Sequence, residues 1–269
     1  MIIKNLLKNM KNFSDKVEKI LAGEADPAYK RRAGIILENI KGSKVLEVGC
    51  GRGFYLKTIK KLYPTTEIIG IDKNKKYIKG LEAIEADAQK LPFGANSFDT
   101  VIASEILEHV DDDDKVLAEI KRVLRPRGVV LISVPNANYP LLWDPLNWFL
   151  ERIFGKHISS NLWWLAGIWA DHKRLYDKEN LDKKIKKAGL KIEKSWRTTH
   201  YCLPFSHFLF YAIGKNLVEK GWFNSMNRFE NQRKSLLREI ILWPIKIIDH
   251  LNDGKDFETS VNLIYKIRK

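Results

Sequence analysis

The sequence predicts a doubly wound α/β fold built on a seven-stranded, mostly parallel sheet, with helical, aromatic insertions that cap it. The first observation is a regular alternation of apolar strand patterns and helical patterns between residues 44 and 134. The second is a glycine-rich turn, Gly49-Cys50-Gly51-Arg52-Gly53, directly after the first predicted strand. The third is an acidic residue at the end of each of the next two strands. Such folds bind ligands at the carboxyl ends of their parallel strands.

Two helices are expected before the sheet and the alternating elements follow. Residues 2–21 repeat apolar side chains at helical spacing, and a second helix should run from Pro27, behind the capping residue Asp26, to about Asn39. The next strands are predicted at 44–49, 67–71, 82–86, 98–103 and 128–134. The helices between them are predicted at 54–62, 74–79, 105–109 and 112–124. A helix at 177–188, a strand near 190–197 and a last strand over Ser260–Ile267 complete the pattern.

Two segments interrupt this alternation and carry most of the aromatic side chains. We expect N-terminal helices over 1–43, a core over 44–200 with an aromatic insertion at 136–171, a helical, aromatic and basic insertion over 201–256, and a final strand over 257–269. The first insertion contributes Tyr139, Trp143, Trp148, Phe149, Trp163, Trp164 and Trp169. The second contributes Phe205, Phe208, Phe210, Tyr211, Trp222, Phe223 and Trp243, with Lys215, Lys220, Arg228, Arg233, Lys234 and Arg238. Aromatic rings with basic edges suit a membrane interface or unpaired bases, and an aromatic core inside a compact cap is the structural alternative.

Composition narrows the class of protein. With 45% hydrophobic and 11% aromatic residues, the 269-residue chain can bury a sizeable core. The net charge of +14 favours an anionic partner (nucleic acid, anionic lipid or a phosphorylated substrate) or reflects a lysine-rich solvated surface. Cys50 and Cys202 are too few for a disulfide or zinc framework, which favours a reducing compartment. Because there is no signal-peptide pattern and no run of about 18 apolar residues, we expect a cytoplasmic protein, with peripheral contact to a membrane left open.

Glycine spacing distinguishes two kinds of nucleotide site. A dinucleotide fingerprint needs Gly-x-Gly-x-x-Gly, and the sixth position here is Phe54. The segment Glu47-x-Gly49-x-Gly51-x-Gly53 instead resembles motif I of the class I S-adenosylmethionine-dependent methyltransferases. Asp72 ends the second strand, where a carboxylate can accept both ribose hydroxyls, and Asp87 follows the third, where it can accept from an adenine amine. A nicotinamide-dependent dehydrogenase is the alternative that the glycine spacing and the second of these carboxylates disfavour.

The resemblance covers most of residues 44–196. Leu91-Pro92-Phe93, Asn96–Asp99 and Leu124–Val129 look like segments of the small-molecule branch of that superfamily, which includes enzymes of ubiquinone and menaquinone biosynthesis. The resemblance also implies a late hairpin of strands six and seven, antiparallel to the sheet. It implies S-adenosylmethionine as the cofactor, held by Glu47, Gly49, Cys50, Gly51, Gly53, Asp72, Lys73, Asp87, Ala88 and Ser104.

Acid–base groups leave strand four at the same edge of the sheet. In a helix, Glu105, Glu108 and His109 would share one face, a spacing that can hold a divalent metal. The following run, Asp111–Asp114, is expected to cap the next helix. Glu-x-x-Glu-His resembles ubiquinone-pathway O-methyltransferases and small-RNA 3′-terminal 2′-O-methyltransferases, and the latter add a histidine in an Asp-His-Lys context, as at His172.

That resemblance implies two sets of site residues. The catalytic residues would be His109, His172 and Glu105. The ligands of a Mg²⁺ or Mn²⁺ ion would be Glu105, Glu108, His109 and His172. The alternative is a metal-free site, as in many relatives with Glu-His after strand four, in which His109 positions the substrate.

The sequence therefore predicts an enzyme that transfers a methyl group from S-adenosylmethionine to an oxygen or nitrogen of a small, lipophilic acceptor. The methyl group is already activated, so the protein supplies alignment, a dry site and a base for the acceptor proton. The apolar runs Leu203–Ile213 and Ile240–Ile248 favour a lipophilic acceptor over nucleic acid. RNA 2′-O-methylation with a divalent metal, and a non-catalytic cofactor-binding protein, are the alternative hypotheses.

Overall fold

Seven strands form one sheet in the order β3-β2-β1-β4-β5-β7-β6, in a computed structural model that describes residues 2–22, 24–162, 165–210 and 236–269. The strands are β1 (Lys44–Val48), β2 (Glu67–Asp72), β3 (Ala83–Glu85), β4 (Phe98–Ser104), β5 (Leu124–Pro135), β6 (Lys191–Thr198) and β7 (Asn262–Arg268). The first five pair in parallel, and β7 lies antiparallel between β5 and β6. The predicted fold class is confirmed. Of the late pair expected to run antiparallel to the sheet, only β7 does so, because β6 is antiparallel to β7 and therefore runs parallel to the first five strands.

Helices pack on both faces of this sheet. They are α1 (Ile2–Leu21), α2 (Pro27–Glu38), α3 (Phe54–Leu62), α4 (Lys75–Ile78), α5 (Asp113–Val123), α6 (Pro145–Phe154), α7 (Lys178–Lys187) and α8 (Leu236–His250). Successive strand residues point to opposite faces. In β5, Val129 and Leu131 therefore join the apolar cluster with α1, α2 and α3, whereas Val130 and Ile132 join the cluster with α5 and α7. A sheet covered on both faces explains why its strands read as apolar runs.

Two capping predictions are confirmed. The Asp26 carboxylate accepts from the Ala28 N–H (2.9 Å) at the start of α2. The Asp112 carboxylate accepts from the Lys115 N–H (3.0 Å) at the start of α5. The Asp111–Asp114 run therefore contains the helix cap that the sequence indicated.

The predicted helix over 105–109 is wrong, because this segment forms turns between β4 and α5. Glu105 has φ of +55°, the left-handed region that a right-handed helix cannot include. Its N–H donates to the Ser133 carbonyl (2.9 Å), which continues the pairing of β4 with β5 by one residue. Tertiary pairing thus overrides the helical spacing of Glu105, Glu108 and His109.

The first insertion contains a helix that its irregular pattern did not predict. Asp144 caps α6, and Pro145 occupies its first turn. Tyr139 and Trp143 are buried in a third apolar cluster with Ala28 and Cys202. Several aromatic and basic residues of the insertions lie outside the described residues. They are Trp163, Trp164, Tyr211, Trp222, Phe223, the basic residues named above between 215 and 234, and the side chain of Arg238. In the part of the chain that is described, no helix is long and apolar enough to cross a membrane.

Candidate functional site

The glycine turn after β1 leaves its backbone open to a ligand. Gly49, Gly51 and Gly53 have φ of +74°, +49° and +75°. The N–H groups of Gly49 and Cys50 both donate to the Ile71 carbonyl (2.8 Å each), which ties the turn to the end of β2. A Cβ on Gly49 would lie 2.7 Å from a methyl of Ile106, whereas a Cβ on Gly51 would meet nothing within 4 Å. Within the described residues, Gly51 therefore faces open space, where its backbone is accessible to a ligand.

Asp72, at the end of β2, holds this turn in place. Its Oδ2 accepts from the Gly51 N–H and its Oδ1 from the Asn74 N–H, both at 2.8 Å. A carboxylate oxygen has two acceptor positions. Each oxygen of Asp72 therefore keeps one position for a ligand hydroxyl, as the ribose of a nucleoside requires.

Glu47, in β1, is a buried acid with an unsatisfied oxygen. Glu47 is 4% exposed, and in the described part of the chain its Oε2 has no hydrogen-bond partner. Burial raises the pKa of Glu47 well above its usual value; the Asp72 charge adds to this, and the Leu56 N–H opposes it. An unpartnered buried oxygen is costly, so a cationic ligand group such as the ammonium of a methionine moiety would suit it.

Asp87 follows β3 and is clamped by Gln89, a residue that the sequence patterns did not indicate. The Gln89 N–H donates to Asp87 Oδ1 (2.8 Å), and the Gln89 amide nitrogen lies 3.2 Å from the same oxygen. These bonds, with the nearby Lys73 charge, lower the pKa of Asp87 and keep it ionised. Gln89 Oε1 in turn accepts from the Asp112 N–H (3.1 Å), which fixes the clamp to the cap of α5.

One cavity of about 160 Å³ is shared by Gly49, Asp72, Asp87 and His109. It is lined by Gly49, Ile71, Asp72, Lys73, Ala86, Asp87, Ala88, Gln89, Ile106, His109, Val110, Asp111 and Lys173. Cys50 does not line this cavity: its thiol packs against Gly70, and burial raises the pKa of that thiol to about 12. His109 thus shares one cavity with the glycine turn and both carboxylates.

Glu108, His109 and His172 come together beside this cavity. One ligand atom of each residue lies within 4.8 Å of the others. Glu108 is fully buried, and neither of its carboxyl oxygens has a hydrogen-bond partner among the residues that the structure describes. Burial raises the pKa of Glu108 well above its usual value, and the charge of Glu105 adds to this. The three residues, called here the Glu108 cluster, offer an unpartnered buried carboxyl group to two imidazoles.

Backbone carbonyls fix the tautomer of both imidazoles. His109 Nδ1 lies 2.9 Å from the Asp171 carbonyl oxygen, and His172 Nδ1 lies 2.5 Å from that of Ile168. Because a carbonyl only accepts, each Nδ1 carries a proton and each Nε2 presents a lone pair. Burial lowers the pKa of His172 to about 4, helped by the proximity of His109, so its ring stays neutral near pH 7.

A further histidine, His207, lies behind His172. Burial lowers its pKa to about 3, and the neighbouring His172 adds to this effect. The His207 ring meets Trp143 edge to face, with centroids 5.8 Å apart. The backbone N–H of His207 donates to the Trp143 carbonyl (3.0 Å). The sequence analysis missed His207 because it lies in the second insertion, far from every motif.

Glu105 lies outside the Glu108 cluster, contrary to the expectation of a shared helical face. Its Oε2 forms an ion pair with Arg32 Nη1 (2.8 Å), and its Oε1 accepts from the Ser133 hydroxyl (3.0 Å). Ser104, which the resemblance places at the cofactor, shares a hydrogen bond with that hydroxyl (2.9 Å). Arg32 belongs to α2, more than 70 residues earlier, so nothing in the local sequence indicated the pair.

Replacing Arg32 by methionine is expected to lower the free energy of unfolding by about 3 kcal/mol, because it leaves the Glu105 carboxylate unpaired beside the buried Glu108. The Arg32 side chain is only 7% exposed. The matched control is Lys44→Met, whose ion pair with Glu67 is exposed on both sides and should cost less than about 1 kcal/mol. Urea unfolding of both variants measures the difference; equal losses would contradict a structural role for the Arg32–Glu105 pair.

Comparisons with known proteins agree with this geometry. The model of a family described as "Methyltransferase domain" matches residues 46–132, from β1 into β5. The chain is 27% identical over 178 residues to a demethylmenaquinone methyltransferase of Staphylococcus carnosus (strain TM300), covering 59% of this chain and 72% of that protein. It is 26% identical over 206 residues to the protein of the same name in Staphylococcus aureus (strain JH9), covering 70% of this chain and 84% of that one.

Solved structures share the fold. A structure described as a SAM-dependent methyltransferase from Archaeoglobus fulgidus aligns with a TM-score of 0.51 at 18% identity, covering 90% of this chain and 92% of its own. The [4+2]-cyclase SpnF aligns with a TM-score of 0.52 at 17% identity, covering 90% and 83%. Since one of these structures is described as a cyclase, the shared fold by itself does not specify a reaction.

Proposed function

Because the chain belongs to the small-molecule branch of the class I S-adenosylmethionine-dependent methyltransferase superfamily, we propose that it methylates an oxygen or nitrogen of a small, lipophilic acceptor. The observation that carries the proposal is the position of the Glu108 cluster beside the cofactor cavity. An alcohol, phenol or amine must lose a proton as it accepts a methyl group, and this cluster presents proton acceptors at that point.

The residues around the glycine turn fit S-adenosylmethionine. Gly51 and the unpartnered oxygen of Glu47 suit the methionine end, Asp72 the ribose hydroxyls, and Asp87 with Ala88 the adenine. When bound, the cofactor supplies a methyl group on a positively charged sulfur. The protein aligns the acceptor with that methyl group and excludes water, and such positioning is worth about 7–11 kcal/mol of the barrier.

His109 is the residue that we assign to proton removal. Its side chain is 36% exposed and lines the cavity, so an acceptor can reach it. The Asp171 carbonyl holds the Nδ1 proton, which leaves the Nε2 lone pair for the acceptor proton. His172 stays neutral behind it and keeps a second ring nitrogen 4.8 Å or less from the Glu108 carboxyl group. A general base of this kind contributes about 10²- to 10⁴-fold in rate.

The Glu108 cluster also fits a divalent cation. Metal-bound histidines donate their other ring N–H to a backbone carbonyl or carboxylate, as His109 and His172 do here. Glu108 would offer a carboxylate oxygen to such a cation, and the cation would favour the deprotonated form of an acceptor hydroxyl. With Glu105 outside the set, two nitrogens and one carboxylate suit Mn²⁺ or Zn²⁺ better than Mg²⁺, so the expectation of Mg²⁺ is revised.

Two observations support a lipophilic acceptor. Of the sixteen large apolar side chains that the described residues expose, all but Tyr77 and Ile84 lie in the two insertions or at their edges, between 142 and 162 and between 201 and 257. The curated relatives reported above are named for demethylmenaquinone, a quinone-type acceptor. An RNA acceptor would instead need a continuous basic groove with stacking rings.

The test is methyl transfer from labelled S-adenosylmethionine by the purified protein into a cell extract that is then split into organic-soluble, RNA and protein fractions. Label in the organic fraction is expected, and an Asp72→Ala variant serves as the blank. Label in RNA would overturn the lipophilic acceptor and favour 2′-O-methylation. Repeating the assay after chelation, and after adding back Mn²⁺, Zn²⁺ or Mg²⁺, tests the cation separately.

A further inference from the structure

Two helices of the insertions present apolar stripes to the outside. On α6 the stripe consists of Leu146, Phe149, Ile153 and Phe154. On α8 and the residue just after it, the stripe consists of Ile240, Trp243, Ile247 and Leu251. Spacings of three and four residues place Leu146, Phe149 and Ile153 on one side of α6, with Phe154 directly after them, and place the second set on one side of α8. Phe154 is 66% exposed and Trp243 is 63% exposed, far more than a ring that packs in a core.

Residues 201–209 form hydrogen bonds with the chain next to both helices. The His207 N–H donates to the carbonyl of Trp143, two residues before α6 begins. The Tyr201 N–H donates to Asn252 Oδ1 (2.8 Å), two residues after α8 ends. This segment exposes three apolar side chains of its own: Tyr201, Phe205 and Leu209. The stripes of α6 and α8 and the exposed side chains of 201–209 together are called here the apolar face.

The charges around the apolar face suit a negatively charged surface. The acidic side chains of α6 and of the segment from Asp249 to Asp256 are already bound within the protein. Glu151 accepts from Tyr139, Asp249 and Asp253 bind Arg31, and Asp256 binds Arg197. Lys156, after α6, and Lys255, after α8, are exposed. Paired acids and exposed lysines leave the edges of the apolar face attractive to anionic headgroups.

We propose that the apolar face inserts into the headgroup region of a membrane that contains anionic lipid. Tryptophan, phenylalanine and aliphatic side chains with lysines at their edges are the composition of helices that lie in a membrane interface. No helix in the described ranges is suited to crossing the bilayer. The proposal rests on the proposed lipophilic acceptor, which would be dissolved in such a membrane. His207 belongs to the segment 201–209, and its ring contacts the buried Trp143.

The test is sedimentation of the full chain with phosphatidylcholine vesicles, with and without phosphatidylglycerol. Binding to the anionic vesicles is expected. The double variant Ile153→Ser, Ile247→Ser should weaken it by about tenfold or more, because each isoleucine buries apolar area in the membrane. The matched control is Ile84→Ser, which removes an equally apolar exposed side chain on β3, outside the insertions; its binding should equal that of the native chain.

Three results would overturn the lipid surface: no sedimentation with either vesicle, equal weakening by the control variant, or a stable dimer in light scattering that dissociates in the double variant. The last would make the apolar face a contact between copies of the chain. Vesicle binding requires no methyl transfer, so it is read independently of the labelling assay. Vesicle binding without organic-soluble label would retain the membrane-binding proposal and reject the lipophilic acceptor. Organic-soluble label without vesicle binding would reject only the membrane-binding proposal.

Discussion

Replacing His109 by alanine is expected to lower kcat for methyl transfer by about 10²- to 10⁴-fold, because the acceptor loses the group that takes its proton. The binding of S-adenosylmethionine should change little, since the carboxylates of Asp72 and Asp87 remain. Single-turnover methyl transfer and equilibrium dialysis of the cofactor separate these two effects. A raised pH should partly restore the rate, because an acceptor hydroxyl that is already ionised needs no base.

His250→Ala is the matched control, because His250 is an exposed histidine at the end of α8 that pairs with Asp253. It should leave the rate unchanged. Glu108→Gln distinguishes the two forms of the site: it abolishes Mn²⁺ or Zn²⁺ binding if the Glu108 cluster holds a cation, and it retains most of the activity if His109 acts alone as the base. A full rate in His109→Ala would show that this cluster does not remove the proton.

Replacing Asp72 by alanine is expected to weaken the binding of S-adenosylmethionine by about 100-fold or more, because the variant loses two hydrogen bonds from ribose hydroxyls to a charged oxygen, each worth about 1.5–3 kcal/mol. The substitution also removes the acceptor of the hydrogen bond that the Gly51 N–H donates to Asp72. Isothermal titration with S-adenosylmethionine and with its demethylated product measures the loss.

Two further variants test the same assignment. Asp87→Asn should weaken cofactor binding less, by about tenfold, because Gln89 already occupies part of the hydrogen-bonding capacity of that carboxylate. Gly51→Ala should strongly weaken cofactor binding. It should change the free energy of unfolding by only about 1 kcal/mol, since the new Cβ enters open space and the only cost is the left-handed backbone. Tight cofactor binding by both Asp72→Ala and Gly51→Ala would place the cofactor elsewhere.

The sheet, the glycine turn and the positions of the Asp72 and Asp87 carboxylates at the strand ends could be predicted from the sequence because each depends on local order. The apolar runs of β1, β2 and β4 encode strands, and a residue that directly follows a parallel strand is carried to the ligand edge whatever the rest of the chain does. Asp72 and Asp87 therefore needed no long-range information. The cap at Asp112 is local in the same sense.

The acid–base site depended on contacts between distant segments. Local spacing predicted a helix that would place Glu105 beside Glu108, but the pairing of the Glu105 N–H with β5 and the ion pair with Arg32 turned Glu105 away. The same fold brings His172, just after the first insertion, to Glu108, 64 residues earlier, and clamps Asp87 with Gln89.

Taken by itself, the amino-acid sequence determined the fold class, the glycine turn and the cofactor that suits it, since period-2 and period-3.6 patterns act over a few residues. Only the tertiary structure decided which acids and imidazoles meet, which of them lack partners, and which aromatic rings of the insertions are buried or exposed. Those outcomes depend on the desolvation of buried polar groups and on packing between segments far apart in the chain, neither of which has a local signature.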